Sequence, residues 1–236
     1  MSSRDVEARS HLALALDLDD LVAALRMARP LAEYFSVAKV GLELFSAAGP
    51  ESVVALSRAG FEVFLDLKLH DIPTTVGRAA RVLGALGVSY ATVHTSGGLA
   101  MVEAATAGMA DGASSAGLPS PCVLGVTVLT SDSEAPPEEL TRRAVIAAEG
   151  GCGGVVCAAS DLAVVSRAAP GLRLVVPGIR PSHVATDDQV RVATPGAAIR
   201  QGADLLVVGR AVTASADPEA AAASVRDEVA TALGGA

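Results

Sequence analysis

Aromatic residues are scarce in this sequence. Four phenylalanines, two tyrosines and no tryptophan amount to 3% of 236 residues, against 51% hydrophobic residues overall, so the core must be built from alanine, valine and leucine. No uninterrupted apolar run approaches the roughly 20 residues that a membrane-spanning helix needs. The segment 1–10 is polar and charged and lacks an apolar stretch, which predicts an N-terminal tail and no signal peptide. Cysteine is limited to Cys122, Cys152 and Cys157, an odd number without CxxC spacing, which predicts core thiols in a reducing compartment. The four histidines show neither HxH nor HExxH spacing and give little support for a metal site. Acidic residues outnumber basic ones 26 to 18, for a net charge of −8. That balance argues against nucleic acid or an anionic membrane as partner. Together these absences predict a soluble cytoplasmic protein.

Lysine is the most informative shortage. Only Lys39 and Lys68 are lysines among the 18 basic residues. An ammonium is a compact point charge that can give up a proton, which a guanidinium effectively cannot. One of the two, Lys68, lies between carboxylates in Asp66-Leu67-Lys68-Leu69-His70-Asp71. Lysine retained in such a setting points to proton transfer.

Short β-rich runs alternate with alanine-rich helical stretches. The predicted strands are His11–Leu16, Val37–Val40, Glu62–Lys68, Tyr90–His94, Cys122–Val128, Gly154–Cys157, Leu172–Val176 and Leu205–Val208. Predicted helices fall at Leu18–Tyr34, Pro50–Ala59, Pro73–Leu86, Leu99–Ala110, Pro137–Glu149, Asp161–Ala168, Thr194–Gln201 and Pro218–Leu233. Eight such βα units of about thirty residues each predict a single (β/α)8 TIM barrel over 11–236, an α/β fold. A doubly wound open sheet is the alternative. Such a sheet usually follows its first strand with a glycine-rich turn, where this chain has Leu16-Asp17-Leu18-Asp19. Thr130–Pro136 and Pro177–Asp188, after the fifth and seventh strands, are candidate lids.

Barrel active sites are built at the C-terminal ends of the strands. Those ends here carry Asp17, Lys39, Asp66 with Lys68, His94, Thr127 with Thr130, Arg180, and Gly209-Arg210, with nothing polar after the sixth strand. In the third strand, period-2 geometry turns Phe64, Asp66 and Lys68 to one face and Leu65, Leu67 and Leu69 to the helices. Buried charges require partners, and an alternating array Lys39–Asp66–Lys68–Asp71 would supply them. An ion pair about 4 Å apart at an effective dielectric near 20 gains about 4 kcal/mol. The paired arginines after strands seven and eight, with Gly209 permitting close backbone approach, suggest a phosphate-ester site. His94 reads equally well as a general base or ligand and as a hydrogen-bonded packing residue.

The ordered motifs ALD (15–17), KVG (39–41), ELFSAAGP (43–50), DLKLHDIPTTV (66–76), VHTSGG (93–98), GVTVLTS (125–131), PGIR (177–180), DDQ (187–189) and VVGR (207–210) closely resemble the orotidine 5′-monophosphate decarboxylase family in its bacterial form. That resemblance implies decarboxylation of orotidine 5′-monophosphate to UMP, the last step of de novo pyrimidine synthesis, without cofactor or metal. It implies that Lys68 donates a proton to C6 of the pyrimidine, with Asp66, Asp71 and Lys39 completing a charge network. Asp71, Ile72 and Thr75 would reach into the partner's site across a homodimer interface. Asp17 would bind the ribose, Thr130 would contact the ligand, and Gln189 would bridge phosphate and base. Arg180, Gly209 and Arg210 would hold the phosphate, and Pro177, Lys39 and Asp66 would also line the substrate site. Thr74 and Ala211 depart from the Asn and Pro common at these positions. Two rivals are a metal-dependent sugar-phosphate decarboxylase or aldolase sharing DxKxxD, and a non-catalytic phosphometabolite-binding barrel. The first would require Mg²⁺, and the second has no need of Lys68 between two carboxylates.

Overall fold

A computed structural model describes residues 3–129, 135–181 and 193–235 of the chain. Eight parallel strands, β1 (Leu12–Leu16), β2 (Val37–Gly41), β3 (Glu62–Leu69), β4 (Tyr90–His94), β5 (Cys122–Val126), β6 (Gly154–Val156), β7 (Arg173–Val176) and β8 (Leu205–Val208), form a closed barrel in sequence order. The circle closes where Leu12–Leu14 pair with Leu206–Val208. Around it lie α1 (Ser3–Ser10), α2 (Leu21–Leu31), α3 (Leu42–Ala48), α4 (Pro50–Arg58), α5 (Pro73–Gly84), α6 (Leu99–Ser115), α7 (Pro137–Glu149), α8 (Leu162–Ala168), α9 (Pro195–Arg200), α10 (Arg210–Thr213) and α11 (Pro218–Leu233). Among the described residues, no helix is long and apolar enough to cross a membrane.

Boundaries follow local chemistry. The helix expected over Leu18–Tyr34 starts later, because the Asp20 carboxylate accepts the Ala23 N–H at 2.6 Å and caps α2. Conversely, α6 runs beyond Ala110 to Ser115. The fifth strand stops at Val126 instead of Val128, and the hydroxyl of buried Thr127 donates to the Val156 carbonyl at 3.0 Å. The expected N-terminal tail is instead helical over Ser3–Ser10 and packs on α11 with Ala8 buried. Arg9 ties it to the barrel by donating from Nε to the Phe35 carbonyl.

Strand alternation sorts side chains into two cores. Leu12, Leu14, Leu16, Ala38, Val40, Val63 and Leu65 face the helices in the larger one. Ala13, Ala15, Val37, Phe64, Tyr90, Leu124, Val175, Leu205 and Val207 fill the barrel interior. Two of the six aromatic rings are placed there, Phe64 and Tyr90, with centroids 5.9 Å apart, opposite the small alanines of β1. The Tyr90 hydroxyl is satisfied by Arg173 at 2.8 Å. The inward rows then continue upward as Asp17, Lys39, Asp66, Thr92 and Gly209, so the polar end of the barrel is the next layer of its core.

Helices α5 and α6 make the most extensive helix–helix contact, and glycines bring their backbones together. A Cβ on Gly84, Gly108 or Gly112 would overlap the carbonyl oxygens of Met109, Gly77 and Arg81 respectively. Backbone on backbone cannot relax as a flexible side chain would, and α5 is thereby fixed directly after the Asp71–Pro73 turn. Gly112→Val is expected to lower the unfolding free energy by about 2–3 kcal/mol in a urea titration. Ala107→Val on the exposed face of the same helix should cost only the propensity difference of about 0.5 kcal/mol.

Candidate active site

The inward residues at the tops of β1, β2 and β3 form a continuous chain of charge. Lys68 Nζ lies 2.8 Å from Asp66 Oδ2, Lys39 Nζ lies 3.6 Å from the same oxygen, and Lys39 Nζ lies 3.1 Å from Asp17 Oδ1. The order is Asp17–Lys39–Asp66–Lys68, negative and positive alternating. Register explains it: Ala15 pairs with Lys39 and Gly41 with Asp66, so the three strand ends meet at one level. Burial pushes the Asp66 carboxyl up, but the Lys39 and Lys68 ammoniums and the hydrogen bonds from Lys68 and Thr92 outweigh it. The net effect holds Asp66 below its ordinary 3.8.

Third-strand geometry differs from simple alternation. Leu65 pairs with Ala91 and Leu69 with Val93, so four steps along β3 match two along β4, and a bulge lies between. Lys68 sits in it with φ of +50°, the one non-glycine residue in the left-handed region among those described. Leu67 and Leu69 still pack toward the helices. Thr92, absent from the sequence-based site, bridges the bulge: its hydroxyl accepts the Lys68 N–H and donates to Asp66 Oδ1, both at 2.9 Å. Its position two residues past inward-facing Tyr90 was the available signal.

These charges line a cavity of ≈ 280 Å³ at the C-terminal end of the barrel. Asp17, Lys39, Asp66 and Lys68 border it together with Arg180 and Arg210, and Pro177 and Gly209 also contribute. Gly178, with φ of +75°, turns the chain between Pro177 and Arg180. At Gly209 an added Cβ would meet only the Ala15 side chain, at 3.6 Å, so packing alone does not demand glycine there.

Asp71 does not join the charge chain. Among the described residues it forms no salt bridge, and its carboxylate accepts the Ile72 N–H at 2.6 Å. Asp71, Ile72 and Thr75 are all exposed, Ile72 to 66%. His94 lies outside the cavity lining, its ring 5.4 Å from that of His70. Burial, His70, Lys68 and Arg143 push its pKa down, which favours the neutral ring at pH 7. Thr130 and Gln189 lie outside the described residues, as do most of the two candidate lids. No group of three or more His, Cys, Asp or Glu side chains among the described residues is arranged to hold a metal ion.

A closed (β/α)8 barrel with a charged cavity at the C-terminal end of its strands places the chain in a broad class that carries its active sites there. The family model for orotidine 5′-phosphate decarboxylase / HUMPS matches residues 10–225. An orotidine 5′-phosphate decarboxylase from Anaeromyxobacter sp. is 48% identical over 89% of this chain and 94% of its own. That of Moorella thermoacetica is 42% identical over 95% and 94%. The crystal structure of the Lactobacillus acidophilus orotidine 5′-phosphate decarboxylase superposes with a TM-score of 0.77 at 35% identity, covering 92% of this chain and 98% of that one. The chain belongs to the orotidine 5′-phosphate decarboxylase / HUMPS family.

Replacing the shared carboxylate tests the charge chain. Asp66→Asn leaves two ammoniums without their common counter-ion and is expected to cost about 3 kcal/mol of stability at pH 7. The Asp66 pKa is depressed on folding, so its contribution is full above its ordinary 3.8 and is lost as pH falls through the folded value. Urea titrations of both proteins from pH 7 downward should therefore give a constant difference that narrows only below 3.8.

Proposed function

We infer that this chain decarboxylates orotidine 5′-monophosphate to UMP and CO₂, the last step of de novo pyrimidine synthesis. The observation that carries this reading is Asp66 Oδ2 held between Lys68 and Lys39 at a cavity that Arg180 and Arg210 also line. Breaking the bond from C6 to the carboxylate leaves an electron pair in the plane of the pyrimidine, where the ring π-system cannot delocalise it. Fixed positive charge must then stabilise it. In this reading Lys68 Nζ stands at the developing pair and gives its proton to C6, and the resulting amine regains a proton from solvent. Asp66 keeps the ammonium aimed, Lys39 balances Asp66, and Asp17 receives the ribose. Neither cofactor nor metal takes part.

Arg180, Arg210 and the Gly209 backbone bind the phosphate, beside Pro177, while Thr130 and Gln189 complete the ligand contacts. Binding energy drawn from the remote phosphate would lower the barrier at C6 by fixing the ring against Lys68. The working unit is a cytoplasmic homodimer in which Asp71, Ile72 and Thr75 of one chain complete the site of the other. Supporting this, Leu42, Ile72 and Leu99, which follow β2, β3 and β4 at the same end of the barrel, are exposed to 60%, 66% and 36%. The close α5–α6 contact fixes the helix that directly follows the Asp71–Ile72 turn. Free thiols, with Cys152 pushed by burial up to about 12, suit a reducing compartment.

Purified protein in EDTA should consume orotidine 5′-monophosphate, followed by its absorbance, and Lys68→Ala should lower kcat/KM by at least about 10³-fold. Turnover only with Mg²⁺ and a sugar phosphate would instead select the metal-dependent reading. Mixing Lys68→Ala with Asp71→Ala protein, each inactive alone, should restore activity, because a mixed dimer has one site with both residues intact. A mixture that stays inactive would place Asp71 in its own chain's site.

A further inference from the structure

We propose that Thr92 is a positioning residue for this reaction, its hydroxyl fixing Lys68 and Asp66 against each other across the bulge in β3. The proposal rests on the decarboxylase reading above and adds to it a residue that touches neither the cavity nor the ligand: Thr92 is 1% exposed and absent from the cavity lining.

Hydrogen-bond valence fixes the direction of both contacts. A backbone N–H can only donate, so Thr92 Oγ1 must accept from Lys68 at 2.9 Å. Its single proton is then available for Asp66 Oδ1, also at 2.9 Å, and an ionised carboxylate can only accept. The hydroxyl has no proton left for any other acceptor. Thr92 itself is buried, so its hydroxyl depends on these two protein partners.

The bulge explains why a side chain is needed here. Between the Leu65–Ala91 and Leu69–Val93 pairs, Thr92 is the only residue of β4 facing the three residues Asp66–Lys68. The Lys68 N–H has thus left the strand ladder, and Thr92 supplies an acceptor in place of a carbonyl. That bond opposes the intrinsic cost of a lysine at φ of +50°. At the other end, anchoring Oδ1 stops the Asp66 carboxylate from rotating and leaves Oδ2 for Lys68 at 2.8 Å and Lys39 at 3.6 Å. One hydroxyl therefore sets both the backbone that carries the proton donor and the counter-ion that aims it. Valine would fill the same space and favour the same strand, but could do neither.

Three variants test this. Thr92→Val is expected to lower kcat by on the order of 10- to 100-fold while leaving KM within about twofold, since phosphate and ribose contacts are untouched. Thr92→Ser, which keeps the hydroxyl and loses the methyl, should recover most of the rate. With one donor to the carboxylate gone, the Asp66 pKa should rise in Thr92→Val, moving the acid limb of the kcat profile to higher pH. Thr92→Cys, with its weak donor, serves if the valine variant does not fold. Wild-type kcat and pH profile in Thr92→Val would overturn the proposal, as would a serine variant as impaired as the valine one. Titration of the Asp66 carboxylate by ¹³C NMR reads the same coupling without turnover. An unmoved Asp66 pKa sinks the positioning role, whereas an inactive wild-type protein sinks the decarboxylase reading alone.

Discussion

The carboxylate of Asp66, only 12% exposed, lies between two ammonium groups, and the surrounding structure takes the form that keeps that contact possible. Removing a carboxylate and an ammonium from water costs several kcal/mol each, and their attraction offsets this only when geometry is good and the remaining lone pairs are satisfied. Here Oδ1 takes the Thr92 hydroxyl and Oδ2 takes both lysines. Asp17, 59% exposed, closes the far end where solvent can share the charge. The four formal charges sum to zero, so the array needs no further counter-ion of its own. Gly41 belongs to the same constraint. A Cβ there would sit 3.0 Å from Asp17 Oδ1 and 3.2 Å from Lys39 Nζ, inside the space these two groups use.

Rigidity around the array comes from packing of two kinds. Below it, Phe64 and Tyr90 close the barrel interior, so the charged layer rests on a filled floor. Beside it, α5 is pressed on α6 through glycines whose backbones touch. The segment between β3 and α5 is therefore anchored at one end by the Lys68 bulge and at the other by the glycine-mediated α5–α6 contact. Asp71 and Ile72 stand in that span, exposed and yet held. An exposed apolar side chain on a firmly held turn is suited to a surface that meets a partner, because little further order is lost on association.

Much of this was legible in the residue pattern, and what was not has identifiable causes. The eight strands follow from β-rich runs at regular spacing, and the inward placement of Lys39 and Asp66 follows from period 2. Helix ends were missed where side-chain chemistry decides them, as at Asp20, whose cap delays α2. The left-handed backbone of Lys68 has no signature in residue type, since lysine is a poor choice for it and its N–H partner, Thr92, comes from a different strand. Thr92 itself reads as an ordinary β-branched strand residue until its register against the bulge is known. Asp17 was recognised as a polar strand end, but its pairing with Lys39 required the β1–β2 alignment. Helix α3, seven residues directly after β2, fell below the length at which periodicity is informative.

The scarcity of lysine becomes intelligible against this geometry. At position 39 the cationic group must fit between Asp17 and Asp66, 3.1 and 3.6 Å away, with Gly41 cleared to make room. A guanidinium brings five N–H donors in a rigid plane, and a largely buried one would need more acceptors than two carboxylate oxygens provide. At position 68 the group is 31% exposed and reaches the cavity from a left-handed backbone, so crowding is less severe. What arginine lacks there is a proton it can surrender. Under the proposed mechanism the same residue type thus meets two different demands, compactness at Lys39 and acidity at Lys68. Among the described residues the arginines stand on the helices, at the start of β7 (Arg173) and at the strand ends bearing Arg180 and Arg210. On this argument Lys39→Arg should damage chiefly packing and stability, whereas Lys68→Arg should leave the fold intact and remove the chemistry.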